Sequence, residues 1–318
     1  MAAAQTKPRF AYFEGQIVPF EKATVSVMTH ALNYGTAVFG GLRGYWNSEE
    51  EQLYLFRPLD HFERFLQSAS LLRMTLPHTP ETLTEVLRQL IQAEGYQTNC
   101  YVRPLAYKSS EMIGVKLHGV DDEITMFSIP FGSYVDDKED GMHVGFSAWR
   151  RVDDNAIPAR GKIAGSYVNS ALIKSDALLA GYDEALVLTQ DGHLSESSAA
   201  NLFIVRRGQL ITPAVNGDVL EGITRRTVIE LAREELGLTV VERAIDRTEV
   251  YVADEMFMCG TGVQIAAVTQ VEHRNVGTGK MGEVTRALSS VFYDVVTGRN
   301  PKYRHFLSPV YDKEPAQS

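Results

Sequence analysis

The chain has 318 residues, of which 44% are hydrophobic and 22% charged, with a formal net charge of −9. This is the composition of an ordinary globular protein with ample core material, and the length suits two domains. The acidic balance argues against a nucleic-acid face, which needs clustered basic residues.

The two cysteines, Cys100 and Cys259, sit in apolar runs and read as buried free thiols, not a disulfide. Residues 1–7 lack an apolar core of signal-peptide length, and no stretch reaches the length of a membrane span, so the cytoplasm is the expected location.

In chain order, Phe10 to Phe13 and Gln16 to Pro19 flank Glu14-Gly15 as a hairpin. A helix is expected from Leu59 to Met74, where Leu59, Phe62, Leu66, Ala69 and Leu72 recur at helical spacing. A second has Thr79 as N-cap, Pro80 at N1 and Gly95 past its end. Strands are expected at Cys100 to Tyr107 and Ile124 to Ile129. The acidic VDDKEDG segment (135–141) reads as a linker. Beyond it come a strand at 143–148, a helix at 167–180, a strand at 184–189 and a hairpin of 201–205 with 209–212. A helix from Thr224 to Leu236, strands at 238–242 and 255–259 and an amphipathic helix bearing Val284, Leu288, Val291 and Val295 complete the chain. The expectation is two mixed α/β domains, 1–134 and 142–318, without the strict alternation of a doubly wound parallel sheet.

Several segments carry groups suited to chemistry. Lys162 lies among Gly and Ala residues that leave room for a ligand on its amine, although a surface lysine is the plain alternative. Glu196 enters an apolar strand, where a carboxylate needs a partner: an arginine, a helix N-terminus or a protonated ring nitrogen. Gly222, Ile223 and Thr224 open a helix, either as an anion site or with Thr224 as a simple cap. The CGTG run (259–262) closes a strand as a phosphate cradle or a hairpin turn. Tyr101 and Arg103 share one strand face, placing an arginine to grip a carboxylate unless the strand is an edge. Tyr34 and Arg43 bracket a glycine-rich stretch. No metal-ligand spacing, GxSxG or dinucleotide GxGxxG is present, so no catalytic metal is expected.

Taken together and in order, HALNYGT (30–36), FGGLR (39–43), FRPLDHFERF (56–65), YVRP (101–104), PARGKIAGSY (158–167), LSESSAANLF (194–203), GITR (222–225), ADEMFMCGT (253–261) and DVVTGRNPKYRH (294–305) resemble the class IV, fold-type IV pyridoxal-phosphate aminotransferases, above all the branched-chain amino acid members. The resemblance implies an α+β, mixed α/β two-domain fold: a small N-terminal domain and a larger C-terminal domain with a barrel-like sheet. It implies pyridoxal 5'-phosphate as cofactor and transfer of the amino group between leucine, isoleucine or valine and 2-oxoglutarate.

By the same resemblance Lys162 forms the aldimine and shuttles the proton, Glu196 keeps the pyridine nitrogen protonated, and Tyr167 hydrogen-bonds the phenolic oxygen. Arg64, Ile223, Thr224 and Thr261 hold the phosphate, with Asn201, Leu220, Gly222 and Gly260 near the cofactor. Tyr34, Phe39, Gly41, Arg43, Tyr101, Arg103, Val115, Tyr134 and the Thr261-Gly262 turn line the substrate pocket, with Phe39 and Val115 as its apolar wall. A partner subunit's loop completes that pocket, so a homodimer or higher homo-oligomer is implied.

Two positions depart from the family pattern: Gly40 stands where a glutamate is usual, and Ala199-Ala200 where Gly-Glu is usual. Loss of the glutamate is either neutral, leaving an ordinary branched-chain transaminase, or it frees Arg43 to swing aside and admits (R)-1-phenylethylamine as a slow secondary donor. A D-amino acid or (R)-amine transaminase of the same fold is the nearest alternative. A non-catalytic pyridoxal-phosphate or phosphate-binding protein is the other, and the presence of both Lys162 and Glu196 disfavours it.

Overall fold

The computed structural model describes residues 7–132 and 141–312. Tyr134 and all of the expected linker except Gly141 lie outside the described residues. The chain divides into two compact units. The first takes 1–132, 161–165 and 294–318, the second 133–160 and 166–293. Thus two segments expected from the sequence in the second domain, 161–165 and 294–318, group with the first.

The first unit contains β1 (Phe10–Phe13), β2 (Gln16–Pro19), α1 (His30–Tyr34), β3 (Ala37–Phe39), β4 (Leu42–Asn47), β5 (Gln52–Phe56), α2 (Pro58–Leu71), α3 (Pro80–Glu94), β6 (Cys100–Lys108) and β7 (Asp122–Pro130). Helix α3 forms as its caps dictate. Thr79 accepts from Thr82 N–H in a capping box, Pro80 starts the helix, and Gly95 ends it at φ +69°. Its stripe of Leu83, Leu87, Leu90 and Ile91 is fully buried, each side chain stabilising the fold by roughly 1.5–3 kcal/mol.

The eight-stranded sheet of this unit runs β17-β5-β4-β6-β7-β1-β2, with β3 also paired to β6; β17 (Leu307–Pro309) pairs antiparallel with β5. Strand β6 is therefore interior, so Arg103 is not an edge-strand arginine. As its alternation requires, Val102 is buried while Tyr101 and Arg103 are half-buried on the other face.

The second unit contains β8 (Met142–Arg150), α4 (Tyr167–Leu179), β9 (Glu184–Leu188), β10 (Leu194–Ser197), β11 (Asn201–Arg206), β12 (Gln209–Thr212), α5 (Ile223–Glu234), β13 (Thr239–Glu242), β14 (Glu255–Gly260), β15 (Gln264–Val271) and β16 (Arg274–Asn275). Helix α6 (Glu283–Val296) starts in this unit and ends in the first. The nine-stranded sheet runs β10-β9-β8-β15-β14-β11-β12-β13, with β16 also paired to β15, and mixes parallel pairs (β8 with β9 and with β15, β12 with β13) with antiparallel ones. Its core includes Leu186, Leu202, Ile204, Met256, Met258 and Val268, all buried. Among the described residues no helix is long and apolar enough to cross a membrane.

Candidate active site

In the first unit the chain around Lys162 is fastened to three elements. Phe39 N–H donates to the Lys162 carbonyl at 3.0 Å, and Val38 bridges to Ile163. Lys162 N–H donates to Ser68 Oγ on α2 at 3.2 Å, and that hydroxyl donates to the Arg64 carbonyl at 2.8 Å. Gly165 N–H donates to the Gly35 carbonyl at 3.1 Å. Gly35 has φ +67°, and a Cβ there would stand 2.9 Å from Gly165 Cα, so only glycine allows this approach.

With its backbone pinned, Lys162 places Nζ 5.1 Å from the centre of the Phe39 ring. The Arg103 guanidinium lies 4.6 Å from the same ring, and its NH2 donates to Tyr101 Oη at 2.9 Å. Gly41 packs directly on Tyr101 Oη. An amine and a guanidinium thus share one phenyl ring, whose π face favours both charges.

Other expected substrate residues are placed differently. Arg43 is 2% exposed, and its NH2 donates to the Gly132 carbonyl at 2.5 Å and the Phe131 carbonyl at 3.4 Å. Its guanidinium also stacks between the rings of Tyr45 and Phe131, at 5.5 and 5.0 Å. Arg43 is thus built into the fold and is not free to swing. Tyr34 Oη accepts from Gly114 N–H at 3.0 Å and so supports the loop that carries Val115. Val115 is 76% exposed and Phe39 only 9%, so the two do not form one buried wall.

In the second unit, Glu196 lies on β10 with its side chain buried. One oxygen, Oε1, accepts from Asn201 Nδ2 and Leu220 N–H, both at 2.8 Å. The other, Oε2, lies 2.8 Å from an NH2 of Arg151. Asn201 Nδ2 also donates to the Leu220 carbonyl at 3.0 Å. Arg151 Nε donates to the Asp218 carbonyl at 3.3 Å, and Asp154 N–H donates to Asp218 Oδ1 at 3.1 Å. Burial raises the Asp218 carboxyl above the ordinary range, opposed by the hydrogen bond from Asp154 N–H and helped by the negative charge of Asp153. Arg151 is the member of this group that the sequence does not reveal. Nothing in RRVDD (150–154) marks it; the strand order β10-β9-β8 brings it to Glu196.

Helix α5 begins at Ile223 with Gly222 as N-cap and no side-chain cap. Thr224 is thus inside the helix, correcting its expected alternative role as the cap. Register between β11 and β14 sets Asn201 opposite Cys259, bringing the turn at Gly260, Thr261 and Gly262 beside the Glu196 group. That turn is also the hairpin between β14 and β15. A Cβ at Gly262 would meet nothing within 4 Å, so packing does not demand glycine there. Tyr167 opens α4, half-buried.

These residues fit a protonated pyridine ring carrying a phosphate. A carboxylate has about four acceptor positions, and among the described residues three donors reach Glu196. One position on Oε2 is left for an N–H. An uncapped helix start and an open glycine turn are suited to phosphate oxygens. The first unit holds an amine beside an arginine, and the second holds a buried carboxylate with an uncapped helix start and a glycine turn.

Comparison with known proteins agrees. The family described as Amino-transferase class IV matches residues 39–271, and the chain belongs to that family, whose cofactor is pyridoxal 5'-phosphate. It is 44% identical to the probable branched-chain-amino-acid aminotransferase of Aquifex aeolicus over 304 residues, covering 96% of this chain and 97% of the relative. Among solved structures it resembles the branched-chain amino acid aminotransferase of Thermobaculum terrenum in its PLP form, with TM-score 0.92, 38% identity, 96% of this chain and 99% of that one. It also resembles the T.th. branched-chain amino acid aminotransferase complexed with N-(5'-phosphopyridoxyl)-L-glutamate, with TM-score 0.91, 37% identity, 96% of this chain and all of that one.

Proposed function

We propose that this chain moves the amino group between branched-chain L-amino acids and 2-oxoglutarate, with Lys162 as the residue that bonds the cofactor. The observation that carries the reading is Lys162 Nζ and the Arg103 guanidinium set against the one ring of Phe39. The names of the relatives support branched-chain substrates, and the glutamate adduct held by the T.th. enzyme supports the glutamate and 2-oxoglutarate pair.

When bound, pyridoxal phosphate supplies an electron sink for the pair left when the substrate Cα–H bond breaks. Lys162 takes that proton at Nζ and returns it on the other side of the transfer. Glu196 holds the ring nitrogen's proton through its remaining acceptor position. Tyr167 donates to the phenolic oxygen. Arg64, Thr261 and the α5 start at Gly222, Ile223 and Thr224 hold the phosphate, with Asn201, Leu220 and Gly260 framing it. Arg103 with Tyr101 takes a substrate carboxylate, the Thr261-Gly262 turn offers N–H groups to the other, and Phe39 and Gly41 shape the apolar side. Tyr34 and Val115 act through the loop at Gly114, and Tyr134 completes the substrate set. The reading that a mobile Arg43 admits (R)-primary amines loses its ground, because the guanidinium is anchored, and that activity enters the test as a control arm. We further propose a homo-oligomer, supported by the exposed Val25, Val27, Met28, Leu32, Ile113 and Val115 on segments joined at Thr29 and Glu111; a monomer by sedimentation velocity removes this.

The test is a donor panel with 2-oxoglutarate as acceptor: L-leucine, L-isoleucine, L-valine, D-alanine and (R)-1-phenylethylamine, followed by product and by the cofactor's visible absorption. The three branched-chain L-amino acids are expected to lead. Lys162→Ala is expected to keep the fold by circular dichroism and to lose turnover. Near-wild-type turnover of that variant refutes the assignment, and D-alanine as the leading donor refutes the substrate class.

A further inference from the structure

We infer that Arg151 is a positioning residue for the reaction: it fixes the plane of the Glu196 carboxylate and so aims the one acceptor position left on Oε2. The inference rests on the proposed contact of Glu196 with the ring nitrogen. A carboxylate is a flat group with two oxygens. Asn201 and Leu220 both bind Oε1, which fixes a point and leaves rotation about it open. Arg151 is the one described donor on Oε2, and a donor on the second oxygen sets the plane. A fixed point and a fixed plane together define a direction.

The arm that does this is itself held at both ends. Arg151 N–H donates to the Leu188 carbonyl at 2.9 Å, at the end of β9, and the Arg151 carbonyl accepts from Gln190 Nε2 at 3.0 Å. At the far end one NH2 meets Glu196 while Nε meets the Asp218 carbonyl. Asp218 is in turn tied down: its carbonyl accepts from Ser195 Oγ at 3.3 Å and its carboxylate from Asp154 N–H. The guanidinium therefore links Glu196 to the loop that runs through Leu220 into the start of α5. Its planar fork serves two acceptors at once, which a lysine ammonium on a flexible stem does not do in a fixed plane. Only 14% of the Arg151 side chain is exposed, so solvent would not replace these bonds freely.

Removing the guanidinium has two opposed effects. It lets the carboxylate turn, which weakens the hold on the ring nitrogen. It also takes away a nearby positive charge, which by itself favours a protonated ring. The inference is that orientation wins.

Apo-protein of wild type, Arg151→Met, Glu196→Gln and the double variant is titrated with pyridoxal phosphate, following tryptophan fluorescence and the absorption of the bound cofactor. Steady-state kinetics use L-leucine. Arg151→Met is expected to weaken cofactor binding roughly tenfold or more, the scale of one lost charged hydrogen bond. It also changes the cofactor's absorption and lowers kcat, with KM for L-leucine within about twofold. In the Glu196→Gln background the same change adds less than about threefold, because the two residues act as one unit. Where Arg151→Met does not fold, Arg151→Lys carries the test and is expected to fall between it and wild type. Arg160→Gln, which removes a neighbouring exposed arginine paired with Asp154 and Glu221, is expected to leave affinity and spectrum unchanged.

Three outcomes overturn the inference. Tighter cofactor binding in Arg151→Met shows that charge, not orientation, governs. An equal effect of Arg151→Met with and without Glu196 shows a purely structural role. No effect of Arg151→Met, when Glu196→Gln does change the spectrum, removes Arg151 while the Glu196 assignment stands; if Glu196→Gln is also silent, that assignment falls and takes the inference with it.

Discussion

Replacing Gly222 with alanine isolates a single contact on which the Glu196 group depends. The backbone there, φ −68° and ψ 134°, is one that alanine adopts without strain. The obstacle is Asn201, because an added Cβ would fall well inside van der Waals distance of Asn201 Oδ1. The amide cannot simply be flipped, since its Nδ2 faces two acceptors, a Glu196 oxygen at 2.8 Å and the Leu220 carbonyl at 3.0 Å. Expelling Asn201 loses one hydrogen bond to a charged group and one to a neutral group, about 2–4 kcal/mol together. Against this, alanine for glycine at a compatible backbone stabilises by about 0.4–1 kcal/mol through the unfolded chain. The net expectation is destabilisation of roughly 1–3 kcal/mol, with weaker cofactor binding. The assay is urea unfolding of apo-protein in a double-mutant cycle with Asn201→Ala. Once Asn201 is shortened the clash is gone, and Gly222→Ala is expected to become neutral or mildly stabilising. If Gly222→Ala destabilises equally in both backgrounds, the contact with Asn201 is not the reason glycine stands there.

Glu249 accepts from Arg243 and Arg206, and Arg243 foremost holds its carboxyl down at about 2. A depressed folded-state value means stabilisation that is complete above the unfolded value of 4.5 and is lost as pH falls towards 2. With the arginines partly exposed, Glu249→Gln is expected to cost about 1–2 kcal/mol at pH 7 and progressively less below pH 4.5; an equal shift of the urea midpoint at pH 7 and pH 3 would refute the ion pair as cause. Burial pushes the Cys100 thiol up to about 12 and raises Cys259 as well. The folded chain is therefore expected to react with a thiol reagent at pH 8 about a thousandfold more slowly than the urea-unfolded chain; comparable rates would show that one thiol is not buried as described.

What the sequence made legible follows from where the burial pattern changes sign along the chain. Helix α3 carries a capping box, a starting proline and a terminal glycine, so both its ends were readable. Strand β6 alternates between buried and half-buried positions, which is the two-residue period of a sheet with one open face. Strands β5 and β15 were not found for the opposite reason. Gln52–Phe56 is buried at every position, and Gln264–Val271 at nearly every one, so no alternation survives to mark them. The joining of 161–165 and 294–318 to the first unit was equally out of reach, since contacts between segments far apart in sequence leave no local pattern.

For the candidate site, single residues were weak signals and the ordered motifs supplied the family, while geometry supplied what each residue touches. The glycine at position 40 shows the difference. In sequence it reads as conformational freedom beside Arg43. In the structure Gly40 N–H donates to the Pro104 carbonyl at 2.9 Å, and a Cβ would stand 2.6 Å from Pro104 Cγ. Glycine is there for close packing of β6 against the chain after β3, not for motion. Any larger residue, the family's glutamate included, has to displace Pro104, which is covalently joined to Arg103. Arg43 meanwhile is held by two carbonyls and two aromatic rings. The departure at position 40 therefore bears on where Arg103 stands over Phe39, and through it on the carboxylate binding proposed for Arg103, while Arg43 remains a strut of the first sheet.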